Sequence, residues 1–302
     1  MRHRAAVSLA VLAVMAGGGL VACKPGSDGG LSAASPAQTD KVSAYTAVFN
    51  NLIGGTPQNY SGLTGPADSY LGANIASASP DDTIEVELNP AWLPGSLADL
   101  KKARSMRGGN DLAPVDQAAD KLISSMETIM RVEKGLAGYY EGRVYKQDGL
   151  AKGKAADPEL RKGYQDAMSA MEEMERALTV VQRRANEARV AQLESRGHVA
   201  EASLLKAMGR AEAMTSAIMA VDGPSADKAA SELELALTDM RDKKGRLKNK
   251  ADEDGYDLVL DSLTDALAGY RDNGVNDPNA AELVIPFYNN AVQFSSRMSI
   301  PR

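Results

Sequence analysis

The chain is poor in the side chains that carry most protein chemistry. Its 302 residues hold one cysteine and two histidines, and one of these, His3, lies beside the N-terminus. The other, His198, has no Gly-x-Ser-x-Gly motif to accompany it, so a Ser-His-Asp arrangement has no anchor. Zinc sites built from several Cys or His ligands are excluded by count. A His-Glu-x-x-His helix motif is absent as well. One cysteine forms no intrachain disulfide, so stability must come from a packed core, and the length allows one large domain or two small ones. Lys and Arg total 34 against 40 Asp and Glu, a formal charge of −6. That balance lacks the net basic footprint of non-specific nucleic-acid binding, so no nucleic-acid partner is expected. No cofactor and no enzymatic activity are expected either. Acidic residues abound, but no pair stands out from solvated faces, which leaves hydrolysis by two carboxylates as an open alternative.

A long apolar run is also lacking. The uncharged stretch Ala5 to Ala22 follows Arg2 and Arg4 and falls short of the roughly 20 residues that a spanning helix needs. Gly17-Gly18-Gly19 weakens a helix at its end. Charge, length and small residues together read as a secretory signal over residues 1–22. The segment closes on Leu20-Val21-Ala22-Cys23, which resembles the bacterial lipobox. That resemblance implies that the Cys23 sulfur receives a diacylglycerol, that the chain is cut before it, and that the new amine is acylated. The mature chain would keep 280 of the 302 residues, and loss of Arg2 and Arg4 takes the formal charge from −6 to −8. Lys24 follows the cysteine where an Asp would retain a lipoprotein at the inner membrane. By resemblance to sorted lipoproteins, the expectation is an outer-membrane anchor in a Gram-negative cell envelope, facing the periplasm. The membrane would then be a partner through the lipid. Residues 23–40, rich in Gly, Ser and Pro, read as a flexible tether.

From residue 41 to 302 the pattern predicts one helical bundle domain: all-α, elongated and antiparallel, with long helical hairpins. Asp40 reads as the N-cap of a first helix with Val42, Tyr45, Val48, Phe49 and Leu52 on one face. Short helices are expected over 66–76 and 95–106, and "TIEVEL" (83–88) is the one strand-like alternation. Asp111 reads as a cap for a helix with Pro114 in its first turn. Its apolar positions Val115, Ala119, Leu122, Met126, Ile129, Leu136 and Tyr140 are interrupted by Glu133. After Asp157-Pro158 a second seam runs from Tyr164 to Ala188 at alternating spacings of three and four, as in helices packed lengthwise. Gly197 predicts a stop, with further helices over 198–220, 225–244, 254–271 and 279–298.

Four stretches could bear chemistry. In "GHVAE" (197–201), His198 and Glu201 share a helix face and could hold one metal; otherwise they are exposed beside a turn. The stretch is similar to the Gly-x-His-x-x-Glu signature of imelysin-like envelope proteins, displaced by one at the glycine. "KADEDGYDLVLD" (250–261) places Gly255 and two Asp as in a calcium loop, but Lys250 occupies the first ligand place and Asp261 the last, so it reads as acidic residues opening a helix. "RDKKGRLKNK" (241–250) carries six cations that could meet anionic lipid, or else form a solvated helix end. Met168, Met171, Met174, Met208, Met214 and Met219 could face a copper ion, though seam positions favour core filling.

The stretch "YYEGRVYKQDGLAKGK" (139–154) is not explained by helix periodicity. Asp148-Gly149 is turn chemistry, and Tyr139, Tyr140, Tyr145, Lys146, Lys152 and Lys154 make a candidate surface for an envelope protein partner or an anionic sugar. Its pattern resembles the central signature of the YiiG-like bacterial lipoproteins, a family of domains of unknown function. The resemblance also takes in the lipobox, the long middle helices and the terminal "FYNNAVQF". It implies an all-helical lipoprotein of the cell envelope and supplies no activity. The sequence thus points to a binding or scaffold module, with a metal-associated, imelysin-like role as the alternative.

Overall fold

The computed structural model describes residues 35–53, 62–88, 91–277 and 279–300. Cys23, the signal and the larger part of the tether lie outside the described residues. Ten α-helices and no strand occur among the described residues: α1 (Pro36–Ile53), α2 (Thr64–Gly72), α3 (Leu93–Ser105), α4 (Ala113–Glu133), α5 (Ala137–Glu141), α6 (Ala151–Ser195), α7 (Val199–Met219), α8 (Gly223–Lys243), α9 (Glu253–Asn273) and α10 (Ala280–Arg297). None of the described helices is long and apolar enough to cross a membrane. The expected all-α class is what the chain adopts. Where the pattern reads as one domain over 41–302, the helices divide into two compact units, Ala37–Val181 and Gln182–Arg302.

In the first unit, α4 explains itself. Pro114 sits in its first turn, where a missing N–H costs nothing, and Val115, Ala118, Ala119, Leu122, Met126 and Ile129 are all buried along one stripe. Asp111 is not its cap; it lies in a 3-10 turn, Asn110–Leu112, just before the helix. α1 joins α4 through Asp116, which takes hydrogen bonds from the Lys41 ammonium (2.9 Å) and the Tyr45 hydroxyl (2.5 Å). α1 begins at Pro36 rather than after Asp40, so the expected tether loses its last five residues to the helix. The alternating 83–88 segment forms no strand and runs extended.

α6 starts seven residues before Pro158, which lies inside it. The reason is local: Asp148 accepts the Lys152 N–H (3.1 Å) as a side-chain cap, and Gly149 and Leu150 both turn with positive φ (64° and 67°). Leu150 is fully buried, and that burial holds a non-glycine residue in a left-handed conformation. α6 ends as expected at Gly197 (φ 76°), where the His198 N–H donates to the Leu193 carbonyl at 2.9 Å.

The second unit is a bundle in which α7 packs against α8 and α10, and α9 against α8 and α10. Its core interleaves Leu204, Met208 and Met214 of α7 with Leu233 and Leu237 of α8, Val259 and Leu263 of α9 and Val284 of α10. Ala200, Ala207, Ala211, Ala226 and Ala230 are buried between them and let the helix axes approach closely. Asp222 caps α8 by accepting the Ser225 N–H (3.2 Å), with Pro224 in the first turn.

Candidate functional site

The 139–154 stretch folds inward. Tyr139, Tyr140 and Tyr145 are buried, with ring centroids 5.1 to 6.3 Å apart in tilted and edge-on contacts. The tyrosine part of the expected partner surface is therefore corrected: these rings build an internal cluster. Lys146, Lys152 and Lys154 are exposed, and the Lys152 ammonium lies 5.4 Å from the centre of the Tyr139 ring. The Tyr139 hydroxyl donates to Asp148 (2.8 Å) and accepts the Gly153 N–H (3.2 Å), tying the tyrosine to the cap of α6. The Tyr145 hydroxyl donates to the Asp82 carbonyl and accepts the Ile84 N–H, which fastens the extended 83–88 segment.

The cluster continues into a buried polar chain. The Tyr140 and Tyr70 hydroxyls are buried without a well-formed hydrogen bond, and burial pushes Tyr140 up to about 12. Arg161 pairs with the buried Asp157 (3.3 Å) and donates to the Leu71 and Ala73 carbonyls (3.0 and 2.6 Å), closing the C-terminal end of α2. The Tyr70 and Tyr164 rings meet at 5.7 Å, and the Tyr164 hydroxyl donates to Glu133.

Glu133 is the residue that the pattern singled out as an interruption, and it occupies the next core position of the α4 stripe after Ile129. It is 0% exposed, its Oε2 has no hydrogen-bond partner, and it floors a small cleft walled by Leu63, Pro66, Trp92, Leu93 and Tyr164. The cleft has no room for a water molecule. Burial pushes the Glu133 carboxyl up to about 7, against the Tyr164 hydrogen bond, which favours the ionised form. An apolar cleft with one convergent, perturbed carboxyl is the most site-like feature of this unit. Reading the sequence for metal ligands and motifs passes over it; the available signal was an acid at a position that the periodicity assigns to an apolar side chain.

In the second unit His198 and Glu201 do come together, with Nδ1 3.3 Å from Oε1. Glu201 is 3% exposed, its Oε1 also faces the Lys248 N–H (3.5 Å), and its Oε2 has no partner. This pair offers a metal two ligands, and no group of three His, Cys, Asp or Glu side chains gathers among the described residues. Five of the six methionines are buried and fill cores; Met219 is half-buried. Three of the six cations in the basic run are paired: Lys243 with Asp239 (2.8 Å), Lys244 with Asp257 (2.6 Å) and Lys250 with Glu253 (3.1 Å). Glu253 and Asp254 open α9, and Gly255 lies inside that helix, so the calcium-loop geometry does not form.

Among known proteins, no curated sequence and no solved structure matches the chain. A family model described as a protein of unknown function (DUF3829) matches residues 96–272, from within α3 to within α9. That match takes in more than half of the chain and includes the tyrosine cluster, Glu133 and the His198–Glu201 pair, and the chain belongs to the DUF3829 family of proteins of unknown function.

Proposed function

We propose that this protein is a lipid-anchored, non-catalytic binding or scaffold module of the bacterial cell envelope, within the YiiG-like lipoproteins. The observation that carries the reading is Leu20-Val21-Ala22-Cys23 behind a short apolar run led by Arg2 and Arg4. The proposed anchor sits in the outer membrane, with the helical units facing the periplasm and an envelope protein as partner. Two features support a binding role. Several polar side chains at the tyrosine cluster are engaged in holding elements together, as in Tyr139 with Asp148 and Arg161 with Asp157. The cations Arg143, Lys146, Lys152 and Lys154 of the same stretch are exposed and suit an acidic partner face.

The test is Cys23→Ser in cells fed labelled palmitate. The expected result is an unprocessed precursor without label. Mature-size protein that still carries palmitate in this variant would overturn the anchor. Crosslinking from the exposed lysines in intact cells addresses the partner, and the failure to capture any protein specifically counts against a binding role.

A further inference from the structure

Glu133 is placed where a charge has almost nothing to meet it. It is the last residue of α4, at the end of the helix where carbonyl dipoles disfavour an anion. From α6, Tyr164 supplies its one hydrogen bond. From α2, Tyr70 stacks behind Tyr164, and the charged groups beyond it, Asp157 and Arg161, are already paired with each other. The start of α3 contributes only Trp92 and Leu93, the turn before α2 only Gly62 and Leu63, and the first turn of α2 only Pro66. Ionised, Glu133 would leave one oxygen with no partner in a cleft too tight for water. A buried carboxylate in that position must either keep its proton or admit solvent.

We propose that Glu133 is a proton-operated latch: neutral, it lets Leu63, Pro66, Trp92 and Leu93 close over it, and on losing its proton it opens the cleft to water. The open form is an apolar-walled pocket with a carboxylate floor, suited to a small organic cation. The proposal stands apart from the envelope anchor, since it uses only the first unit.

Trp92 is the only tryptophan in the sequence and forms a wall of the cleft, so its fluorescence reads the latch directly. In the full chain, Trp92 emission and acrylamide quenching are followed from about pH 5 to about pH 9, with far-UV circular dichroism beside them. The expected result is a red shift and stronger quenching as pH rises, centred near 7, with the helical signal unchanged. Glu133→Gln should abolish the transition and keep Trp92 half-buried throughout. Tyr164→Phe removes the bond that favours the ionised form and should move the midpoint upward. A flat Trp92 signal in the natural protein, or an unchanged transition in Glu133→Gln, overturns the proposal. If Glu133→Gln does not fold, an unchanged midpoint in Tyr164→Phe overturns it instead.

Discussion

Gly153 is the sharpest place to test how the tyrosine cluster is built. A Cβ there would lie 2.7 Å from the Tyr140 hydroxyl and 3.2 Å from both a Leu150 methyl and the Tyr139 ring. Comfortable carbon contacts fall at about 3.5–4.0 Å, so the first of these must be relieved by movement. Tyr140 is 4% exposed, and its ring has little space to swing into. Overpacking of this kind costs about 1–3 kcal/mol. The helix gains up to about 1 kcal/mol from replacing glycine, and less here, because Gly153 lies in the first turn of α6. Gly153→Ala should therefore destabilise the first unit by about 1–2 kcal/mol. In a Tyr140→Phe background the offending oxygen is gone, and its own removal is cheap because that hydroxyl makes no well-formed hydrogen bond. Gly153→Ala should then be close to neutral, which gives a coupling of about 1 kcal/mol or more between the two positions. Urea unfolding followed by Trp92 emission measures it, since Trp92 belongs to the same unit and a single global transition is not assumed for a chain with two units. Equal destabilisation in both backgrounds, or a gain in stability from Gly153→Ala alone, would refute the steric argument.

Two further outcomes follow from the same unit. Arg161→Ala strips two hydrogen bonds from the end of α2 and leaves Asp157, 4% exposed, without its cation; a loss of about 2–4 kcal/mol is expected, and Arg161→Lys should recover little because one ammonium cannot reproduce the fork. A loss below about 0.5 kcal/mol in urea unfolding would show that α2 is held by packing alone. Glu133 makes stability pH-dependent: its carboxyl rises from 4.5 to about 7 on folding, so the native state holds more protons between those values. Stability is then fullest at and below about 4.5, declines as pH rises, and levels off above about 7, a total of about 3 kcal/mol for this group. Denaturation curves across that range should lose this component of the slope in Glu133→Gln, and an identical slope in that variant would refute the assignment.

Much of the helical layout is legible without coordinates, and the reasons are local. The stop at Gly197 and the acidic opening of α9 each depend on a residue and its neighbours within one turn, and α7 to α10 fall within two residues of their expected bounds. Most of the misses have the opposite cause. Pro158 resembles a helix start, yet α6 begins at Ala151, because Asp148 caps it and Tyr139 holds Asp148 in place. Asp40 resembles a cap, yet α1 is already under way, and a proline at its first position gives up no hydrogen bond. The tyrosines of 139–145 resemble a surface because three amphipathic rings in seven residues exceed what one helix face can bury. They are covered by α2, by the extended 83–88 segment and by the first turn of α6, at separations that no local window contains.

What the amino-acid sequence determines by itself is the helical class, most helix ends, the shortage of cysteine and histidine, and the Leu20-Val21-Ala22-Cys23 motif on which the proposed address depends. What the tertiary structure alone decides is burial. It turns Tyr139, Tyr140 and Tyr145 from a surface into a core, and it converts an off-pattern Glu133 into a carboxyl enclosed by apolar walls. The physical reason is that capping and helix periodicity are set within a turn or two. The dielectric around a side chain, and hence its charge state, is set by whatever the rest of the chain packs over it.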